Sequence, residues 1–228
     1  MSSLIRTTGK EARPNPRADP RWVAARFDRI ARSYGLFERL FMVPGQCRKR
    51  AVERLGIREG HRILDVGIGH GPQLLAISTP AGDQGRVVGV DLSTGMLDRA
   101  RDRIREHDLW NVELRHMNIL DHHPIEPYDA VLLSFALSSF GEPARVLDHV
   151  WRCIRPGGRL VVLDAQIPPT LKWITRPLMP AIRWFLERTV LGDPDMRPLE
   201  HLADLGGHME VEWFRGRTYF VACIGKLR

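Results

Sequence analysis

Apolar and polar positions alternate along this chain in two rhythms that take turns. Trp22, Arg26, Ile30, Tyr34, Phe37 and Phe41 recur at three- or four-residue spacing, with Phe27 and Leu40 beside them. That period predicts an amphipathic helix with an aromatic face, ended by Pro44-Gly45. A second helix is predicted over about 46–55, with Cys47, Ala51, Val52 and Leu55 on one side. Short apolar runs then alternate with helical stretches. The runs are "HRILDVG", "GRVVGVD", "NVELRHM", "YDAVLLSFAL" and "RLVVLDA". Between them, one helix opens at Pro72 and a second, "STGMLDRARDRIREH", has Ser93 as its N-cap. A third, "EPARVLDHVWRCI", is stopped by Pro156-Gly157-Gly158. Buried strands alternating with helices predict a parallel sheet covered on both faces. A Pro-broken helical stretch runs from about 170 to 205. Two strands, "MEVEWF" and "TYFVACIG", close the chain around Arg215-Gly216 and predict an antiparallel edge strand.

Composition narrows the picture modestly. The 228 residues fit one domain with a short attachment, and a hydrophobic fraction of 43% is enough for a core. The net charge is +7, yet lysine occurs only at 10, 49, 172 and 226, so the bias is almost entirely arginine and reads as genome composition. Such charge attracts acidic partners without specifying one. Cys47, Cys153 and Cys223 are odd in number and far apart, which fits a reducing, cytoplasmic setting. The first twenty residues lack the apolar run of a signal peptide and read as a flexible tail. The segment "LKWITRPLMPAIRWFLERTVL" carries too many charges to span a bilayer.

Candidate chemistry begins at "ILDVGIGHGPQLLAI". Gly67, Gly69 and Gly71 follow a predicted strand, and such a loop lets backbone approach a ligand closely. A dinucleotide needs Gly-x-Gly-x-x-Gly, but Pro72 stands where the third glycine belongs. Asp65 precedes the loop, where a carboxylate crowds a pyrophosphate and suits a cation. S-adenosylmethionine carries an ammonium and a sulfonium and no phosphate. Asp91 ends the next strand, twenty residues past Gly71, and can accept the hydroxyls of a ribose, a spacing that dinucleotide and adenosyl ligands share. Met96 is suited to an adenine face, or to simple helix packing. Asn118 could pair with adenine, or form a turn.

Five stretches, "ILDVGIGHG", "VVGVDLSTGML", "HMNIL", "YDAVLLSFAL" and "IRPGGRLVVLD", resemble in order and spacing the motifs of class I S-adenosylmethionine-dependent methyltransferases. The likeness covers roughly 60–165. It implies an α/β, Rossmann-like fold with seven mostly parallel strands, the last antiparallel, and helices on both faces. An N-terminal helical cap would occupy 21–58, the cofactor-binding core 60–165, a helical substrate-side insertion 166–205, and a hairpin 206–228. The resemblance implies S-adenosylmethionine as cofactor. Asp65, Gly67, Ile68 and Gly69 would border its methionine end, and Asp91 its ribose. Leu92, Met96, Asn118 and Ile119 would enclose adenine, and Ser134 would lie near the transferred methyl.

Within that class, "FDRIARSYGLFERLF", "SFAL" and "IRPGGRLVVLD" are similar to the ubiquinone/menaquinone methyltransferase group, in which Tyr34 would cover the cofactor. The chain departs from that group at Ser138-Ser139, where an Arg-Asn pair is usual, at Gly35 and at His70. The implied activity is methylation of a hydrophobic, quinone-like or phenolic small molecule. Phospholipid or amine N-methylation, and cofactor binding without transfer, are the alternatives. No side chain stands out as a general base. Tyr34, Ser138 and His201 are the catalytic candidates, while His70, His116, His122, His123 and His208 read as structural or solvated. No metal site is expected, because three protein ligands do not converge in the pattern. Trp173, Met179, Trp184 and Phe185, with Arg176, Arg183 and Arg188, make the insertion apolar and basic. Peripheral membrane contact and a homo-oligomer stay open, and the chain carries no basic stripe interleaved with aromatics for nucleic acid.

Overall fold

In the computed structural model, the described residues are 19–31, 45–166, 168, 176–178, 180 and 196–227. Tyr34, the aromatic face beyond residue 31, and most of the 166–205 insertion lie outside them. That includes Trp173, Met179, Arg183, Trp184, Phe185 and Arg188.

Helix α1 spans Pro20–Ile30 and α2 spans Gly45–Leu55. The alternating core then runs β1 (Arg62–Val66), α3 (Leu74–Ala81), β2 (Arg86–Asp91), α4 (Thr94–Glu106) and β3 (Val112–His116). It continues with β4 (Tyr128–Ser134), α5 (Pro143–Arg152) and β5 (Ile154–Ala165). Helix α6 (Pro198–Ala203) leads into β6 (His208–Phe214) and β7 (Tyr219–Gly225). Short 3-10 turns cover Ile119–Asp121, Leu137–Ser139 and Arg176–Leu178.

The seven strands form one sheet in the order β3-β2-β1-β4-β5-β7-β6. Neighbours from β3 to β5 are parallel, and β7 is antiparallel to both β5 and β6. The last strand is antiparallel, as expected, but the closing hairpin departs from the expectation that this strand forms the edge. Its antiparallel member lies inside the sheet, and β6 forms the edge. The side chains explain why. Phe220, Val221, Ala222 and Ile224 of β7 are buried on both faces, whereas β6 alternates Glu210 and Glu212 with Met209, Val211 and Trp213. A strand apolar on both faces needs cover from both sides, and a one-sided strand can stand at an edge.

The Pro156-Gly157-Gly158 stretch also differs from expectation. Helix α5 ends earlier, at Arg152, and these residues lie within β5. They form an irregularity where pairing with β4 jumps between Tyr128 and Ala130. The helix is stopped from elsewhere: Lys226 Nζ donates to the carbonyls of Trp151 and Ile154, each at 2.7 Å. A cation at a helix C-terminus satisfies carbonyls that have no partner within the helix. Pro72 precedes α3 by two residues rather than opening it, because Gly71 and Leu74 close a turn first.

Alternate strand residues feed two cores. Leu64, Val66, Val88, Val90, Val131, Leu133, Leu160 and Val162 meet α5 and α6 on one face. Ile63, Val87, Ala130, Leu132, Val161 and Leu163 meet α2, α3 and α4 on the other. Each fully buried aliphatic side chain contributes about 1.5–3 kcal/mol. Strand order reverses at β1: the chain steps outward to β2 and β3, then returns to place β4 on the other side. A crevice opens beyond the strand ends at such a reversal.

Candidate active site

The crevice is a pocket walled by residues that leave four neighbouring parallel strands. Val66 to Gly69 come from β1, Val90 to Ser93 from β2, Met117 and Ile119 from beyond β3, and Ser134 to Ala136 from β4. Val23, Ala24 and Phe27 of α1 close it from above.

The glycine loop is shaped by backbone that only glycine adopts readily. Gly67 has φ +67°, and a Cβ there would meet the Ala136 Cβ at 2.7 Å. Gly69 has φ +56°, and a Cβ there would enter open space. Gly69 donates its N–H to Asp91 Oδ2 at 2.8 Å, while Ser93 donates its own to Oδ1 at 2.9 Å. The Asp91 carboxylate is thus aimed at the pocket by two backbone donors. Burial raises its pKa despite those donors.

Asp65 lies behind the loop rather than in the pocket wall. It is 1% exposed, and neither carboxylate oxygen has a hydrogen-bond partner. Burial pushes its pKa up to about 7, against the pull of the Arg48 guanidinium, and Asp91 adds to the rise. A buried acid without donors is costly to ionise, so a cation beyond the loop relieves it. Such a carboxylate fits the ammonium and sulfonium charges of S-adenosylmethionine.

Ile68, Leu92, Met96 and Ile119 all line the pocket and bring together an apolar slot beside Asp91. Met96 is 1% exposed, and its N–H is capped by Ser93 Oγ at 3.1 Å. The slot and the adjacent carboxylate match the two halves of an adenosyl group, a flat base and a vicinal diol. Asn118 is not part of this wall. Its Oδ1 accepts from the Leu120 N–H at 3.0 Å and caps the short turn after β3, the turn-forming alternative for that residue.

Ser134 also lines the pocket, with two partners that have no sequence signature. Arg48 Nη1 donates to Ser134 Oγ at 3.4 Å and to Gln73 Oε1 at 3.3 Å. Gln73 Nε2 donates to the same hydroxyl at 3.2 Å. Arg48 comes from α2 and Gln73 from the turn before α3, so only the tertiary fold assembles this trio. The Arg48 guanidinium also lies 5.2 Å from the Phe135 ring centre.

The catalytic candidates do not gather at the pocket. Ser138 gives both its N–H and its hydroxyl to Asp164, at 3.0 and 3.1 Å, and the neighbouring Ser139 faces the pocket instead. Asp164 is buried, its pKa pushed up to about 6 by desolvation, and it also accepts from the Ala165 N–H. His201 sits on α6, away from the pocket wall. Tyr34 lies outside the described residues. His70 does line the pocket, with its pKa lowered to about 4 by burial and by Arg103, Arg48 and Arg99.

The other histidines are structural or exposed. His122 is fully buried between Tyr128 and Arg115. Arg115 can only donate, so Nδ1 accepts and Nε2 carries the proton shared with Tyr128 Oη at 2.8 Å. Burial holds His122 neutral, with a pKa of about 4. His116 Nε2 meets the Leu92 carbonyl at 2.9 Å, and His123 stacks edge-on against His149.

Helix α1 is latched over the pocket. Asp28 Oδ1 accepts from Ser93 Oγ at 2.6 Å and from the Gly95 N–H at 2.9 Å. One residue, Ser93, therefore ties Asp91, the start of α4 and the covering helix together.

Comparison with known proteins agrees with this geometry. Residues 63–158 match the family described as "Methyltransferase domain". A demethylmenaquinone methyltransferase of Symbiobacterium thermophilum is 30% identical over 187 residues, covering 76% of this chain and 73% of that protein. One of Listeria welshimeri is 30% identical over 150 residues, and the match spans 64% of each chain. The chain thus spans less than two thirds of the length of the Listeria relative and about three quarters of the Symbiobacterium one. The solved structure of an S-adenosylmethionine-dependent methyltransferase from Aquifex aeolicus shares the fold. Its TM-score is 0.56 at 21% identity, covering 92% of this chain and 99% of that one. Loop, carboxylates, sheet order and relatives agree: the chain belongs to the class I S-adenosylmethionine-dependent methyltransferases.

Proposed function

We propose that this protein methylates a hydrophobic small molecule, and that its acceptor is a demethylated quinol of the kind its relatives are named for. The observation that carries the reading is the pairing of an unpartnered, buried Asp65 with a doubly anchored Asp91 across one glycine loop. An acid at Asp65 favours a cationic nucleoside over a pyrophosphate, and Asp91 serves its ribose.

In this reading Asp91 accepts the ribose hydroxyls. Leu92, Met96 and Ile119 enclose the base, and the backbone of Gly67 and Gly69 lies against the amino-acid arm. When bound, S-adenosylmethionine supplies a methyl group on a positively charged sulfur. The protein supplies position and dryness. Val23, Ala24 and Phe27 exclude water from above, and Asp28 keeps them there. Phe135, Ala136, Phe140 and Met117 line the pocket and suit an apolar ring. Among the described residues of the wall, the ionisable groups are Arg48, His70 and Asp91. His70 stays neutral at pH 7.

We place the reaction in a reducing compartment, where Cys47, Cys153 and Cys223 remain thiols, with peripheral contact to the membrane that holds a quinol. Among the described residues no helix is long and apolar enough to cross a membrane. Sedimentation with anionic vesicles tests that contact, and salt-insensitive absence from the pellet would remove it.

The activity is tested by incubating the protein with methyl-labelled S-adenosylmethionine and, separately, a reduced demethylmenaquinone, a phosphatidylethanolamine and a simple phenol. Label on carbon of the quinol supports the proposal. Label on phospholipid nitrogen replaces it with N-methylation. Tight binding of the labelled donor without transfer to any acceptor replaces it with a binding role.

A further inference from the structure

The sheet ends in two edges, β3 and β6, and they are built differently. We propose that β3 pairs with β3 of a second copy of this chain, antiparallel about a two-fold axis at Leu114, so that Glu113 of each copy meets Arg115 of the other. The inference goes beyond the methyltransferase reading and does not depend on it.

The backbone sets the geometry. The Val87 N–H donates to the Asn111 carbonyl at 2.9 Å, and the Met117 N–H donates to the Asp91 carbonyl at 3.1 Å. Backbone groups alternate in direction along a strand. The odd-numbered residues of β3 therefore face β2, while Val112, Leu114 and His116 turn their N–H and carbonyl groups outward. The Val112 N–H makes a long contact with the Leu109 carbonyl, at 3.4 Å. Strand β3 is half-buried or exposed along its whole length and pairs with β2 in unbroken register. It has no proline, glycine or bulge, devices that keep an edge from pairing.

Charge then selects the register. In an antiparallel pair, opposite residues exchange both hydrogen bonds at alternate positions, and side chains come closest at the positions between. Centred on Leu114, the pairing uses all three outward residues. Leu114 faces the partner's Leu114, and Val112 faces the partner's His116. At the close positions Glu113 meets the partner's Arg115, and Arg115 meets the partner's Glu113. Moving the axis by one residue sets Glu113 against the partner's Glu113, or Arg115 against the partner's Arg115. Opposite charges across a pair stabilise it and like charges oppose it. Edge β6 is the contrasting case. Two-fold registers centred on Glu210, Val211 or Glu212 all set glutamate against glutamate.

The charged groups of β3 are held ready. Arg115 Nε donates to Glu113 Oε1 at 2.7 Å, Arg86 bonds the other oxygen, and Arg115 Nη1 meets His122 Nδ1 at 3.3 Å. The Arg115 bond holds the Glu113 carboxyl below the usual carboxylate range, with help from Arg86, so the acid is ionised at pH 7. A guanidinium has five donors, which leaves Arg115 others for the partner. The five residues of β3 alone bury less than the roughly 1,200 Å² of a stable interface. Two exposed apolar side chains extend the contact. Trp110 stands two residues before β3, and Ile125 shares a groove with Arg115. The dimer expected from so small a patch has micromolar affinity. Strand β3 leads directly into Met117 and Ile119 of the pocket wall, so the pairing braces that wall.

The test is sedimentation velocity from about 1 to 100 μM, the range that brackets such an affinity. It compares wild type, Glu113→Arg, Arg115→Glu, and the double variant carrying both changes. Wild type should pass from monomer to dimer across the range. Each single variant should weaken the dimer by about tenfold or more, because like charges then meet at both close positions. An equimolar mixture of the two single variants should dimerise within about threefold of wild-type affinity, and so should the double variant, because each restores both opposite pairs. Those rescues separate lost pairing from lost fold. Three results would overturn the proposal. One is a wild type that stays monomeric throughout. Another is a dimer that neither single variant weakens, which would place the contact on another face. The third is loss in the single variants with rescue in neither the mixture nor the double variant, their circular dichroism being that of wild type.

Discussion

The N–H of Gly69 donates to the carboxylate of Asp91 across 2.8 Å, so the glycine loop and the acid proposed to hold the ribose form one unit. Replacing Asp91 by Ala removes the acceptor for the ribose and releases the loop together. Calorimetry should show S-adenosylhomocysteine affinity falling by about 10- to 100-fold. Asp91→Asn should lose less, because an amide oxygen can still accept one of the two backbone N–H groups.

Asp65 sets a pH dependence of opposite sign for stability and for binding. Its folded pKa of about 7 lies above its value of 3.8 in a solvated chain. The stability it contributes is therefore complete below about 3.8 and is lost as pH rises through about 7. Binding runs the other way, because a cationic ligand favours the ionised acid. Affinity for S-adenosylmethionine should rise between pH 6 and pH 8, with proton release on binding near the lower end. Asp65→Asn should raise the unfolding free energy of the ligand-free protein at pH 8 by about 1–4 kcal/mol and flatten both profiles. Denaturant melts and calorimetry across that range check the pair of effects.

Gly67 tests the loop itself. An added Cβ combines a left-handed φ with a 2.7 Å approach to Ala136. Gly67→Ala should cost about 1–3 kcal/mol and weaken cofactor binding as the loop shifts. Gly45, where a Cβ meets nothing within 4 Å and φ is not left-handed, is the control. Gly45→Ala should leave thermal stability nearly unchanged.

The contact of Asp28 with Ser93 and Gly95 predicts a kinetic effect. Asp28→Ala leaves the pocket wall intact but loosens the helix that covers it. Dissociation of S-adenosylhomocysteine in stopped flow should accelerate by about three- to tenfold, the loss of one or two net hydrogen bonds. The melting temperature should move little, because α1 buries no side chain fully.

Much of this was readable in the chain because the signals are local. Strands β1 to β5 announce themselves as short β-branched runs, Ser93 caps the helix it precedes, and Asp65, the glycines and Asp91 keep motif spacing. Ile68, Leu92 and Ile119 reach the pocket because they lie just past strand ends, Ser134 because it ends one, and Met96 because it lies in the first turn of the helix that follows β2. Other features depend on contacts far apart in sequence. Arg48 and Gln73 carry no motif, and their meeting with Ser134 spans up to 86 residues. Asn118 was ambiguous because the same side chain that can read adenine can cap a turn, and here its oxygen caps. Pro156-Gly157-Gly158 looked like a helix stop because a bulge uses the same residue types. The inner position of β7 depends on which strand can tolerate an exposed edge, and that is settled only when both faces are compared.

The most direct measurement titrates the protein with S-adenosylhomocysteine and, in parallel, with NAD and NADP. Saturable heat from the thioether nucleoside at micromolar concentration, with none from either dinucleotide, is the predicted result. Saturation by a dinucleotide and silence from S-adenosylhomocysteine would contradict the assignment of Asp65 and Asp91 to a cationic adenosyl ligand.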